Sequence, residues 1–307
     1  MRDLEGVALA AVAGEMRAVG ECGRAWCLLI KVCARVGDVP RASQWCDTVL
    51  RLAERIQHPQ LLASCLSQYA SVLTARGDYA GAEVELEKAV MVFAAGAPGV
   101  VFEAELVLAE LRRRQGRLEE SVELAEAHAW HPSAQLVLSE VAWDRGDVAE
   151  ARSMLDRRSR RTESGAVDDP AALLLAVRLA AAEGNGAAAT AAVGALRAFA
   201  ERAETVPLKA AAIAAEGFAG ASPRASLQHA ADLWTLAGMA YEAARAETAL
   251  AVLSGDDALR ARAVRRLACL GCSGDVGLLD SQLAPGACGS ARGELSRLDL
   301  QVLRSRC

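Results

Sequence analysis

Six copies of one short element, each opening on glycine, constrain this 307-residue chain more than any other feature. Three are close: Gly37-Asp38-Val39-Pro40-Arg41-Ala42, Gly77-Asp78-Tyr79-Ala80-Gly81-Ala82 and Gly146-Asp147-Val148-Ala149-Glu150-Ala151. Three are looser: Gly116 to Ser121, Gly184 to Ala189 and Gly220 to Ala225. The glycines fall 40, 39, 30, 38 and 36 residues apart, and a recurring period of this size means stacked copies of one supersecondary unit. The element itself reads as the corner of a helix hairpin. Glycine ends the first helix in the left-handed region, and the following Asp or Asn caps the second through its side-chain oxygen. The apolar residue two past the glycine packs at the corner, and the small residue five past it lets the helices approach closely.

Both arms of each hairpin carry helical patterning. Before the turns, Trp26, Leu29, Ile30 and Cys33, or Leu62, Leu66, Tyr69, Ala70 and Leu73, recur at three- and four-residue spacing. After a turn, Ala82, Val84, Leu86, Val90 and Phe93 form a second amphipathic stripe. Neither arm buries its stripe alone, so neighbouring hairpins complete the core. Alanine makes up more than a fifth of the chain and aromatic residues only 4%, a composition that favours closely spaced helices over sheets. The expected fold is therefore all-α: an α-solenoid of about seven antiparallel helix pairs, the last running from Tyr241 to Leu270 around Ser254-Gly255-Asp256-Asp257. The polar stretch Arg157 to Gly165, ahead of Asp168-Asp169-Pro170, predicts a boundary between N-terminal repeats over 1–160 and C-terminal repeats over 161–272. Residues 273–307 turn to Gly, Ser and Pro, the composition of a flexible tail.

Charge and hydropathy narrow the function classes. With 34 basic and 39 acidic side chains the chain carries a formal charge of -5, the wrong sign for holding nucleic acid by phosphate neutralisation. No apolar run approaches the roughly 18 residues of a membrane span. The apolar stretch Val7 to Ala13 is flanked by Asp3, Glu5 and Glu15 where a signal peptide needs positive charge. Of nine cysteines, Cys22, Cys27, Cys33, Cys46 and Cys65 sit in apolar helical runs, where a reduced thiol behaves as a small hydrophobe. A soluble, cytoplasmic protein is the expectation.

Catalytic and cofactor motifs are weak. Lys31, Lys88 and Lys209 follow Ile, Glu and Leu, so no phosphate-cradling Gly-Lys-Ser/Thr loop exists. Gly184-Asn185-Gly186-Ala187-Ala188-Ala189 fits a dinucleotide fingerprint in letters but sits in the repeat-turn register. Cys269 and Cys272 have the spacing of a zinc or redox pair, yet Cys288 and Cys307 follow irregularly, and reduced thiols at a helix end are preferred. His128 and His131 lie three apart before Pro132 and read as an inter-repeat loop. Ser64, Ser67 and Ser71 step along one helix with no adjacent His and no nucleophile elbow. No cofactor or metal is expected, and an enzyme is the lesser reading, although a triad assembled across repeats leaves no local signature.

The spacing is close to the ~34-residue period of a tetratricopeptide unit. Cys33-Ala34-Arg35-Val36-Gly37-Asp38 with Ala42 to Cys46, and Ala109 to Glu120, resemble the tetratricopeptide-like region of LuxR-type (MalT-like) transcriptional regulators of high-GC bacteria. Leu295-Ser296-Arg297-Leu298-Asp299-Leu300-Gln301-Val302-Leu303-Arg304 is similar to the opening of the helix-turn-helix domain of that family, and Cys307 follows soon after. The resemblance implies a scaffolding and signal-sensing role, while DNA binding does not carry over to this chain.

In tetratricopeptide stacks the first helix of each pair lines the concave face. Threading the chain on its turn glycines puts Lys31, Ser67, Glu110, Arg113, Arg114, Glu140, Trp143, Asp144 and Arg178 there. Arginines that grip carboxylates and a tryptophan that stacks suit a protein, a peptide or a polar small-molecule effector. The competing account makes Arg112 to Arg114 a solvated helix end favoured by the helix dipole. The leading expectation is a non-enzymatic binding or sensor module in transcriptional regulation, which could act as a homodimer, without direct nucleic-acid or membrane contact. The alternative is a repurposed solenoid enzyme acting on a small molecule in a secondary-metabolite pathway.

Overall fold

A computed structural model describes residues 19–55, 58–161 and 169–272. These residues form fourteen α-helices, one 3-10 turn and no strand. The helices pair as the glycine register predicts. They are α1 Val19–Arg35 and α2 Val39–Arg55, α3 Pro59–Arg76 and α4 Tyr79–Gly96, α5 Phe102–Arg114 and α6 Leu118–Glu126, and α7 Pro132–Asp144 and α8 Val148–Arg161. There follow α9 Pro170–Ala182 and α10 Gly186–Ala203, α11 Val206–Phe218 and α12 Pro223–Leu236, and α13 Ala240–Ser254 and α14 Asp257–Leu270. The 3-10 turn Pro98–Val100 precedes α5.

The hairpin corner is built as the element demands. All seven turn glycines have positive φ, from 65° at Gly255 to 95° at Gly220. At Gly37, Gly77, Gly116, Gly146, Gly184 and Gly220 the glycine N–H donates to the carbonyl three residues back, and the next N–H donates to the carbonyl five back. For Gly146 these bonds are 2.9 Å to Trp143 and 2.9 Å from Asp147 to Ala142, the paired closure of a Schellman motif. Asp38, Asp78, Asp147 and Asn185 then accept from the backbone N–H three residues on, and Asp256 accepts from Ala258 and Leu259. Arg117 cannot cap; its guanidinium instead donates to Glu120, at 2.6 and 2.5 Å.

The expected close approach holds at Ala42, Ala82, Ser121, Ala151 and Ala189, all nearly or wholly buried. The sixth copy departs. Ser222 at φ 47° and Pro223 delay α12 by one residue, so Ala225 is exposed. The contact moves to Gly217 of α11, where an added Cβ would lie 3.1 Å from Ser226 Cβ.

The contacts divide the chain into two compact units, residues 1–111 and 112–307, with the division inside α5. The boundary expected after residue 160 falls beside residues 162–168, which lie outside the described set. Within the first unit α1 packs on α3; within the second, α9 packs on α11. One core of the second unit joins Ala142 and Trp143 of α7 to Ala151 and Leu155 of α8 and to Ala172, Leu175 and Leu179 of α9. The tail expected over 273–307, with its helix-turn-helix-like start, and the stretch Val7 to Ala13 lie outside the described residues.

Candidate functional site

Three successive arginines at the end of α5 serve three different neighbours, because successive side chains on a helix point about 100° apart. Arg112 reaches α6, with Nε 3.6 Å from Glu120, and donates to Gln115 at 2.9 Å. Arg113 turns to α7, where it donates to Asp144 at 2.6 Å and lies 3.8 Å from Glu140. Arg114 reaches α13, far along the sequence, and donates to Glu242 at 3.0 Å. Arg112 and Arg113 are buried, so this is not a solvated helix end.

The partners connect in turn. Glu140 and Asp144 are one turn apart on α7, and both meet Arg245 of α13, at 3.9 and 3.4 Å. Arg114 lies 4.8 Å over the ring of Tyr241, and Arg245 is 5.8 Å from the same ring. The result is a charge-balanced cluster of Arg113, Arg114 and Arg245 with Glu140, Asp144 and Glu242, held by three first helices, α5, α7 and α13. Its side chains are 4 to 21% exposed, so attraction between them is screened far less than at a bare surface. Glu140 Oε2 and Glu242 Oε2 are buried without a hydrogen-bond partner among the described residues.

The other residues threaded onto the concave face have separate places. Arg178 is buried on α9, 5.0 Å over the ring of Phe218. Glu110 is half-buried on α5. Lys31 is exposed and pairs with Glu103 at 3.2 Å in the first unit. Ser67 and Trp143 are wholly buried rather than presented on a face: the Ser67 hydroxyl donates to Ala63 within α3, and Trp143 fills the core shared by α7, α8 and α9. The tryptophan stands three residues before its glycine, as Arg113 does, yet the indole fills the core while Arg113 turns to Asp144 of α7. Tyr241, Glu242 and Arg245 leave no such mark in the sequence, since they stand 14, 13 and 10 residues before Gly255 while Arg113, Arg114, Glu140 and Asp144 stand 3, 2, 6 and 2 before their own glycines. Only the path of the second unit carries them to α5 and α7.

His131 caps α7, its Nδ1 accepting from the Ser133 N–H at 3.1 Å, and His58 does the same for α3 with Leu61 at 3.2 Å. Among the described residues no group of three His, Cys, Asp or Glu could hold a metal ion, and no helix is long and apolar enough to cross a membrane.

Residues 132–157 match the tetratricopeptide repeat. The match covers α7, its Gly146 corner and most of α8, the pair that supplies Glu140 and Asp144 to the cluster. This region is tetratricopeptide-like, and the same paired closure recurs at Gly37, Gly77, Gly116, Gly184 and Gly220. No curated protein matches the chain.

Proposed function

We propose that this chain is a non-enzymatic binding module that captures a protein or peptide on the first helices of its second unit, and that it serves the sensor role such repeats have in LuxR-type regulators. The observation that carries the reading is the convergence of three arginines and three carboxylates from α5, α7 and α13 on one partly buried cluster. Tetratricopeptide repeats commonly hold protein partners, which favours a macromolecular ligand. The chemistry favours an acidic segment. Arg114 and Arg245 both lie over the Tyr241 ring, and a planar guanidinium binds carboxylates bidentately. A partner's Asp or Glu can replace Glu242 or Asp144 on these groups while the displaced side chain moves to water, so no arginine is left without a counter-charge.

The test uses fluorescein-labelled Glu-rich peptides, with Lys-rich peptides as control, against the wild type and the exchanged pair R114E/E242R. The exchange keeps one ion pair but reverses its sense, so the helical circular dichroism stays and Glu-rich binding falls. Equal binding of both peptide types, or full binding by the exchange variant, refutes the reading. The regulator part is checked separately by reading the coding sequence beyond codon 307. A continuing helix-turn-helix supports it, and its absence leaves a binding module without that kinship.

A further inference from the structure

Independently of the charged cluster, the first unit gathers thiols from three helices: Cys27 and Cys33 on α1, Cys46 on α2 and Cys65 on α3. Cys33, Cys46 and Cys65 are wholly buried, as expected of cysteines acting as small hydrophobes, but Cys27 is only partly buried. Gly23 of α1 sits against Leu61 of α3, where an added Cβ would lie 3.1 Å from Leu61 Cδ1, and Cys27 and Cys65 stand one helical turn further along the same two packed helices. Ser64 precedes Cys65 on α3, and Lys31 stands one helical turn beyond Cys27 along α1. Glu103, paired with Lys31 at 3.2 Å, opposes the lysine by its charge.

The donors prevail: the Cys65 thiol first, then Lys31 and Ser64, hold the Cys27 thiol below its ordinary value against burial and Glu103. Cys65 is pushed the other way, first by its bond to Cys27, then by burial and by Cys46. Each thiol thus has a distinct part. The reactive form of a thiol is the thiolate, and access decides which thiolate meets a reagent.

The geometry points to Cys27 and Cys65 as a redox-modification site, a dithiol that accepts a low-molecular-weight disulfide at Cys27 and closes to a bond tying α1 to α3. In the first step the Cys27 thiolate attacks one sulfur of the reagent disulfide and expels one thiolate, leaving a mixed disulfide. In the second, the Cys65 thiol gives its proton to water and its sulfur attacks Cys27 Sγ, expelling the second thiolate. Two electrons pass from the protein dithiol to the reagent, which leaves as two thiols. Once Cys27 is in the mixed disulfide it is no longer an anion beside Cys65, so the main cause that raises Cys65 is gone. Disulfides in the cytosol are mostly transient and regulatory, and a bond between the first helices of pairs one and two would set their stacking by the redox state around it.

The experiment treats the full chain with oxidised glutathione, blocks free thiols and maps tryptic peptides. Cys27 and Cys65 lie alone in separate peptides, 25–31 and 56–76, and Cys33 and Cys46 in two others, so the pairing is unambiguous. Peptide 25–31 joined to 56–76 is expected. C65S should stop at a glutathione adduct on Cys27, and C27S should lose both adduct and cross-link. In wild-type protein under limiting iodoacetamide, partly buried Cys27 should be alkylated before exposed Cys269. That comparison needs no variant to fold. Pairing of Cys27 with Cys33 or Cys46, prior modification of Cys269, or no reaction at Cys27 until the chain is unfolded overturns the assignment.

Discussion

The Arg114–Glu242 pair joins helices 128 residues apart, so its energy reads out the path of the second unit. At 3.0 Å and an effective dielectric of about 20, the gross Coulomb attraction is about 5 kcal/mol. Desolvation of side chains only 17 and 21% exposed, and ordering of a long arginine, offset most of this. A coupling of about 1–2 kcal/mol should survive. The cycle is R114M, E242Q and the double variant, each unfolded in urea and followed by circular dichroism. R114M removes both the ion pair and the contact with Tyr241, whereas E242Q removes only the first. The cost of R114M measured in the E242Q background is then the ring contact alone, about 0.5–1 kcal/mol. In 1 M salt most of the coupling should persist, since the pair is largely out of solvent. A coupling within about 0.3 kcal/mol of zero, the range of additive distant sites, would mean that α5 and α13 do not face each other.

Three further outcomes follow from the same geometry. Gly146→Ala should lower the urea stability by about 1 kcal/mol because φ is 82° there, whereas Gly194→Ala, exposed within α10 with nothing within 4 Å of the new Cβ, should raise it by about 0.5–1 kcal/mol; the same sign for both would refute the left-handed corner. Trp143→Ala should cost about 3–5 kcal/mol of unfolding free energy in urea, and a loss below about 1 kcal/mol would place the indole outside the α7–α8–α9 core. Burial, then Asp47 and the neighbouring thiols, push Cys46 up from 9.0 to about 12. A raised folded value contributes stability that is present below pH 9 and lost as pH climbs towards 12, a difference of about 4 kcal/mol. Unfolding free energies measured from pH 8 to 11 should therefore fall more steeply for the wild type than for Cys46→Ala, and parallel curves would contradict the burial argument.

The hairpin corner was legible because it is a local event. A residue that must take positive φ, followed by a side chain that must accept a backbone N–H, leaves its mark within six letters, and Gly77-Asp78 and Gly146-Asp147 carry both marks. Where one mark is missing, the structure substitutes for it locally: Arg117 cannot cap and pairs with Glu120 instead. At Gly220 the inserted Ser222-Pro223 shifts the following helix by one residue, and the close approach passes to Gly217. The letters Gly-Ala-Ser-Pro-Arg-Ala still read as a copy, yet the alanine that completes the pattern is exposed.

The charged cluster is legible only in part, for a reason of scale. Arg113, Glu140 and Asp144 belong to consecutive pairs, and registering each helix on its own glycine brings them to one face. Arg114 answers to Glu242 four pairs later, and that meeting depends on small rotations summed over every intervening hairpin. No single turn encodes the sum. The consequence is visible in what each charge does: Arg112 and Arg113 meet neighbours of the next helices, as any solenoid permits, while Arg114, Tyr241, Glu242 and Arg245 form contacts that exist only at one curvature of the unit. A partner that takes Arg114 from Glu242 therefore does more than fill a groove. Under the proposed capture it would remove a contact that selects that curvature, which would link binding at the cluster to the shape of the second unit, and a ligand could then shift the shape only by as much as it prefers one form over the other.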